Sequence, residues 1–230
     1  MRRHPIIRLK QVSKQYHQDE LHAEALHCVS LSIFKGEFVA IMGPSGSGKS
    51  TLMHIMGALD IPTKGQYFFE GKDITHLNDQ ELSTIRNHKI GFIFQNFNLL
   101  PRMSVLDNVE LPMDYTHIHE SEQTKIALDC IQKVGLSDRL KFPPNKLSGG
   151  QMQRVAIARA LTMNPSIILA DEPTGNIGSA HAKEIMELFT QLNKHDQHTI
   201  VMITHEPTIA KYASRIITIQ DGQISKDVKK

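Results

Sequence analysis

The sequence predicts an α/β fold built on a sheet of buried, mostly parallel strands, and three observations predict it. The runs Phe38–Met42, Ile90–Phe94, Ile167–Ala170 and Thr199–Ile203 are almost continuously apolar, as strands covered on both faces are. Between them lie longer stretches whose apolar residues recur at helical spacing, such as Ala127, Cys130, Ile131 and Val134. A glycine-rich segment, Gly43-Pro44-Ser45-Gly46-Ser47-Gly48-Lys49-Ser50-Thr51, joins the first run to a helical pattern of Leu52, Ile55, Met56 and Leu59. That is strand, loop and helix in the order required by the phosphate-binding pattern G-x-x-x-x-G-K-[ST].

Each residue type in this loop has a physical task. Glycines let the backbone wrap an anion with its N–H groups turned inward. The helix N-terminus adds partial positive charge. Lys49 is placed to reach the β- and γ-phosphates of a nucleotide, and the Ser50 hydroxyl to meet Mg²⁺.

The chain of 230 residues accommodates one large α/β domain or two intimate subdomains, and 40% hydrophobic content is enough for a core. A net charge of +2 implies no global nucleic-acid field. Basic residues cluster near the ends, at Arg2, Arg3, Arg8, Lys10 and Lys14 and at Lys226, Lys229 and Lys230, where solvated termini account for them. No apolar run approaches the roughly 20 residues of a membrane helix, and Arg8 and Lys10 follow Ile6 and Ile7 too soon for a secretory signal. A soluble, cytoplasmic protein is expected. Cys28 and Cys130 show no pairing motif and are expected as reduced, mostly buried thiols. His117 and His119 have the spacing of a metal pair but no accompanying ligand set.

Taken in order, residues 6–12 and 26–35 read as strands, the second alternating Val29, Leu31 and Ile33 with Ser30 and Ser32. The polar stretch Gln15–Glu24 between them reads as a long hairpin loop. Tyr16 at its start either stacks on a base or caps the sheet. Pro62–Gly65 reads as a turn, Tyr67–Phe69 as a strand, Glu70-Gly71-Lys72 as a hairpin turn and Asp73-Ile74 as its return. Asp79–Asn87 is a short polar helix, and the strand after it ends at Gln95, at the edge where α/β sheets place ligand contacts. From Asn96 to Pro144 helices replace strands: one carries Val105 and Val109 and stops at Pro112, the other ends at Gly135. This reads as a helical insertion within an α/β core.

Leu147-Ser148-Gly149-Gly150-Gln151 opens the next helix, with Ser148 as N-cap and two glycines exposing N–H groups, a second anion site. Asp171 and Glu172 end the following strand. Two carboxylates behind four apolar residues are costly unless compensated, and Mg²⁺ held through Asp171 compensates them. Glu172 points to the other face or lies past the strand, free to polarise a water. Ile185, Leu188, Phe189 and Leu192 mark an amphipathic helix, and His205 follows the end of the next strand as a candidate phosphate contact. Arg215–Ile224 is a hairpin turning at Asp221-Gly222.

Leu-Ser-Gly-Gly-Gln at 147–151, beside the phosphate loop, resembles the signature of the ATP-binding cassette (ABC) ATPases, and the resemblance runs from Tyr16 to Gly222. It implies an α/β, P-loop NTPase (RecA-like) core with an antiparallel β subdomain, over residues 1–95 and 161–230, and an inserted α-helical subdomain with the signature, over 96–160. It implies ATP and Mg²⁺ as cofactors. By resemblance Tyr16 is the adenine-stacking aromatic, Gly43 to Thr51 the Walker A loop, and Gln95 the residue that touches Mg²⁺ and senses the γ-phosphate. Ser148 and Gly150, flanked by Gly149 and Gln151, resemble contacts to ATP held by a partner subunit. Asp171 resembles the Walker B aspartate, Glu172 the catalytic glutamate and His205 the switch histidine.

Phe94–Pro101 and Glu172–Asn176 resemble the lipoprotein-releasing and macrolide-exporter branch (LolD- and MacB-type ATPases). That implies a homodimer on ATP binding, working on separate integral membrane permease subunits at the inner face of the cell membrane, with no nucleic acid expected. Phe97, Leu99, Leu100 and Met103 are expected to be hard to bury together, and so to mark the permease contact. One departure is Gly178, where the branch has an aspartate in the loop that crosses the dimer. The alternative is a non-transport ABC ATPase acting on DNA or ribosomes. Those usually carry coiled-coil insertions or tandem cassettes, which this sequence lacks.

Overall fold

The computed structural model describes residues 4–18 and 21–230. The first pair of strands, β1 (Pro5–Gln18) and β2 (Leu21–Phe34), is antiparallel and longer than the sequence suggests. Pairing continues to Gln18 opposite Leu21, so the polar stretch read as a long loop is mostly strand. Its connection, residues 19–20, lies outside the described residues. The sequence of this stretch is polar, and backbone pairing does not depend on hydrophobic alternation. Strand β4 (Lys64–Phe69) pairs with β1 and with the short β5 (Lys72–Asp73), giving the sheet order β2-β1-β4-β5. Lys64 and Gly65, read as turn residues, belong to β4.

The larger sheet has the order β10-β9-β3-β8-β7-β6. Strands β3 (Phe38–Met42), β6 (Ile90–Ile93), β7 (Ile167–Asp171), β8 (Thr199–Ile203) and β9 (Arg215–Gln220) run parallel. Strand β10 (Gln223–Lys229) returns antiparallel on the edge. The turn between β9 and β10 has positive φ at both Asp221 and Gly222, as a two-residue hairpin requires.

The apolar runs are continuous because each face of this sheet closes a different core. Val39 and Ile41, Ile167 and Leu169, Val201 and Ile203 pack with the small sheet and with α1 (Lys49–Met56), through Leu52, Ile55 and Met56. Phe38 and Ala40, Ile168 and Ala170, Ile200 and Met202 face the helices α3 (Val105–Glu110), α4 (Glu120–Lys133), α5 (Gly149–Leu161) and α6 (Ser179–Lys194). Helix α2 (Asp79–Lys89) leads into β6, and a single turn, α7 (Pro207–Ala210), follows β8. Helix α1 leaves β3 on one face and α6 enters β8 on the other. The crevice between these neighbouring strands is therefore a switch point, at their carboxyl ends.

Several expectations shift at boundaries. Helix α1 stops at Met56, leaving Leu59 exposed beyond it. Pro112 lies inside a 3₁₀ turn, Leu111–Tyr115, which continues from α3. Strand β6 ends at Ile93, so Phe94 and Gln95 stand past it. Cys130 is buried as expected, but Cys28 is exposed, on an irregular stretch of β2 where its φ is +46°. Of Phe97, Leu99, Leu100 and Met103, only Leu100 is exposed; the others are half-buried and Leu99 packs on the helical core.

The loop after Gln95 is fixed by a residue that the sequence does not advertise. Asn108 is fully buried on α3. Its Oδ1 accepts from the Leu100 N–H at 2.7 Å, and its Nδ2 donates to the carbonyls of Leu100, Met103 and Ser104. Asn108→Ala strands these groups without partners. Its expected cost is on the order of 3 kcal/mol in a denaturant titration, and a cost near zero would show that the loop holds itself.

Candidate functional site

The phosphate-binding loop leaves β3 through a tightly enclosed path. A Cβ on Gly43 would lie 2.2 Å from the Ile219 carbonyl oxygen, and one on Gly48 would lie 2.4 Å from that of Ala25. The flanking strands β9 and β2 therefore admit only glycine at these positions. Gly46 differs: its φ is +77°, but open space surrounds its missing side chain. Gly48, at φ +98°, starts α1 without a side-chain cap, and the first turn carries no acidic residue. This leaves the turn's N–H groups and partial positive charge directed at the loop, which suits an anion. Lys49 Nζ donates to the Pro44 carbonyl at 2.6 Å, inside the loop.

Two strands away, β7 delivers Asp171 and Glu172. Burial pushes the Asp171 carboxyl above the usual carboxylate range and the Glu172 charge pushes it further, while His54 and Lys49 pull it back. Strands β3 and β7 flank β8 and run parallel, so the phosphate loop and this carboxylate leave the same edge of the sheet. Glu172 lies just past the strand with φ +43°, in the left-handed region that a glutamate rarely occupies. Its N–H donates to the Ile203 carbonyl of β8, and its own carbonyl accepts from Gly175. The strain is therefore held by two backbone bonds, a pattern found at functional sites. The Glu172 carboxylate, largely covered, is 3.0 Å from Nδ1 of the exposed His205 at the end of β8.

Gln95 stands beside these groups at the end of β6. Its side chain lies against Gly175, where a Cβ would come within 2.8 Å of Nε2, and its carbonyl accepts from Asn176 Nδ2 at 3.0 Å. Asn176 also donates to Asn96 Oδ1, tying the segment after Glu172 to the segment after Gln95. Arg159 of α5 donates to the carbonyls of Phe97 and Asn98, two residues at positive φ. Sequence reasoning missed Arg159, because nothing local marks a helix arginine that closes a loop 61 residues away.

The signature residues sit apart from this group. Ser148 Oγ accepts from the Gln151 N–H, and Gln151 Oε1 accepts from the Ser148 N–H, a complete capping box. The Gln151 side chain is thus spent on the cap. Gly149 lies against Asn176 and Ile177, and Gly150 against His181 of α6. Tyr16 is partly exposed, and its hydroxyl donates to Asp60 at 2.9 Å.

The site offers oxygen donors, the Asp171 carboxylate and the Ser50 hydroxyl, and hard oxygen donors fit Mg²⁺. Among the described residues no group of three or more His, Cys, Asp or Glu could hold a metal, His117 and His119 included. Mg²⁺ is usually held by one or two protein oxygens together with nucleotide phosphates.

The pattern of the ABC transporter family matches residues 26–175, from β2 through the loop after Glu172. The chain belongs to the ABC transporter family. It is 50% identical over 219 residues to an uncharacterized ABC transporter ATP-binding protein, YknY of Bacillus subtilis, with 95% of each chain covered. It is also 50% identical over 225 residues to the macrolide export ATP-binding/permease protein MacB of Chlorobaculum tepidum. There the alignment covers 98% of this chain and 34% of MacB, so the chain spans about a third of that relative. Among solved structures it resembles the dimeric post-hydrolysis ATP-binding cassette MJ0796 of Methanocaldococcus jannaschii, bound to ADP and Pi. The TM-score is 0.89 at 46% identity, covering 97% of this chain and 98% of that one. The fold of this ABC family member is therefore the α/β, P-loop class that the sequence implies, and the ATPase class stands with it.

Within this ABC cassette the loop glycines separate by environment, which a pair of variants tests. Gly46→Ala meets only the cost of a left-handed alanine, about 1 kcal/mol. Gly48→Ala adds a clash with backbone, and its loss should reach about 3 kcal/mol or more. Thermal melts of the two variants should show this order, and equal losses would contradict the enclosed path described for Gly48.

Proposed function

We propose that this chain is the ATP-hydrolysing subunit of an ABC transporter that drives an integral membrane permease in export or extraction. The observation that carries the reading is the meeting at one sheet edge of the phosphate loop, the Asp171–Glu172 pair and His205. Lys49 and the loop N–H groups hold the phosphates, and Ser50 and Asp171 hold Mg²⁺. When bound, Mg²⁺ neutralises charge that develops on the phosphoryl oxygens. Glu172 accepts a hydrogen bond from the attacking water and orients it, as a general base. His205, 3.0 Å from the Glu172 carboxylate, positions that carboxylate and meets the terminal phosphate. Gln95 links this chemistry to the loop that follows it, through Asn176, Arg159 and Asn108. Tyr16 stacks on the adenine.

Ser148, Gly149 and Gly150 are turned to a different use. Their N-terminal N–H groups complete the ATP site of a second copy, which makes the working form a homodimer on ATP binding; the dimeric cassette of M. jannaschii supports this. We also divide the chain into a nucleotide-binding unit, 1–95 and 161–230, and a helical unit, 96–160; the packing of α3, α4 and α5 on one another supports the division, and their core continues onto one face of the large sheet. The permease contact lies in the groove of about 300 Å³ lined by Phe92, Phe94, Asn98, Pro112, Tyr115 and Arg159, with the exposed Leu100 nearby in the chain. This is a revision of the apolar-cluster expectation, since Phe97, Leu99 and Met103 are half-buried. Among the described residues no helix is long and apolar enough to cross a membrane. A cytoplasmic subunit that reaches the membrane through the permease fits this. Export is favoured by the likeness to MacB, named for macrolide export.

The test is Glu172→Gln, which keeps the shape and removes the charge. Hydrolysis should fall by about a hundredfold or more while ATP binding survives, as loss of general-base assistance requires. Sedimentation of that variant with ATP and Mg²⁺ should give a dimer. Undiminished turnover would remove Glu172 from its role.

A further inference from the structure

Two near neighbours on β1, Lys14 and Tyr16, close around Asp60, which lies 44 residues beyond Tyr16 in the turn after α1. Tyr16 donates its hydroxyl proton to Asp60 Oδ2 at 2.9 Å. Lys14 Nζ meets Asp60 Oδ1 at 2.5 Å and also donates to the Ile61 carbonyl at 2.9 Å. The same ammonium lies 5.0 Å from the centre of the Tyr16 ring, over its face. Asp60 is itself fixed, since its Oδ1 accepts from the Ile61 N–H and its own N–H donates to the His54 carbonyl of α1.

The consequence is mechanical. A tyrosine that is 40% exposed on a projecting strand ordinarily samples several rotamers. Here its polar tip and one face are taken, which leaves the opposite face open. The anchor belongs to the turn that follows α1, so the ring is referenced to the same rigid element that carries Lys49 and Ser50. Burial would raise the Asp60 carboxyl, but the hydrogen bonds from Lys14, Tyr16 and Ile61 outweigh it and hold the group below its usual range. The acceptor is therefore a carboxylate at neutral pH, and charge-assisted bonds to it are the stronger kind.

We propose that Asp60, backed by Lys14, is a positioning residue for nucleotide binding: it clamps Tyr16 so that the free face of the ring receives the base at a fixed distance from the phosphate loop. This rests on the reading of Tyr16 as the base platform. Pre-ordering the ring removes a rotamer cost that binding would otherwise carry.

The test compares two ligands on the whole chain, Mg·ATP and magnesium tripolyphosphate, which has phosphates but no base. Tyr16→Phe keeps the ring and removes the hydroxyl, Asp60→Asn keeps the shape and removes the charge, and Tyr16→Ala removes the platform. Asp60→Asn and Tyr16→Phe should each weaken ATP binding about fivefold to tenfold and leave tripolyphosphate binding unchanged. The loss should appear in the KM for ATP rather than in turnover at saturation, and the double variant should be no worse than either single one. Tyr16→Ala should weaken ATP binding further. If Tyr16→Ala weakens ATP alone while Asp60→Asn and Tyr16→Phe do not, the clamp is overturned and the platform stands. If Tyr16→Ala has no effect, the platform falls and the clamp with it. Equal loss of both ligands in Asp60→Asn would make the residue a support of the loop, and would also overturn the proposal.

Discussion

The rest of the site depends on two carboxylates that leave a fully buried strand side by side. Strand β7 is apolar on both faces until Asp171, so the chain reaches the sheet edge with little water to share the charge. Burial and the neighbouring Glu172 both push the Asp171 carboxyl upward, and His54 and Lys49 only partly answer them. A divalent cation answers them better. The left-handed backbone at Glu172 then separates the pair, one carboxylate towards the phosphate loop and the other against His205. Two adjacent residues of one type thus acquire different tasks from strand geometry and a single backbone turn.

Much of this was legible in the sequence, for physical reasons. Strands covered on both faces must be apolar throughout, so β3, β6, β7 and β8 were visible as runs. The loop Gly43–Thr51 and the cap Ser148 are local patterns whose geometry follows from neighbouring residues. The far ends of β1 and β2 were not legible, because the polar stretch Gln15–Glu24 shows no hydrophobic alternation. Nor were Asp60, Asn108 and Arg159, whose partners lie 44, 8 and 61 residues away. Each is a polar residue serving a distant side chain or an irregular backbone, which no periodicity encodes. Gln151 was legible as part of a motif but not in its task, since its side chain closes the helix cap.

Gly178 marks where the fold leaves freedom. It precedes α6 with φ −64° and ψ 152°, a conformation open to any residue, and nothing lies within 4 Å of where a Cβ would be. The chain itself therefore does not require glycine there. Helix α6 begins without a side-chain cap, an interaction usually worth about 1 kcal/mol. The same short segment supplies Asn176, which bridges to Gln95, and His181, which packs on Gly150. It thereby touches both the nucleotide-facing strand ends and the signature helix.

The central claim is that the ends of β3 and β7 form one site for a divalent cation and a nucleotide together. Manganese, which substitutes for magnesium and has a paramagnetic resonance signal when free in solution, tests this most directly. Titrated against the chain with a non-hydrolysable ATP analogue, manganese should be held more tightly than by the analogue alone, and should not be held by the chain without nucleotide. That added affinity should be largely lost in Ser50→Ala and Asp171→Asn, where retention should fall to that of the analogue alone. Tight manganese binding without nucleotide, or undiminished binding in both variants, would contradict the account.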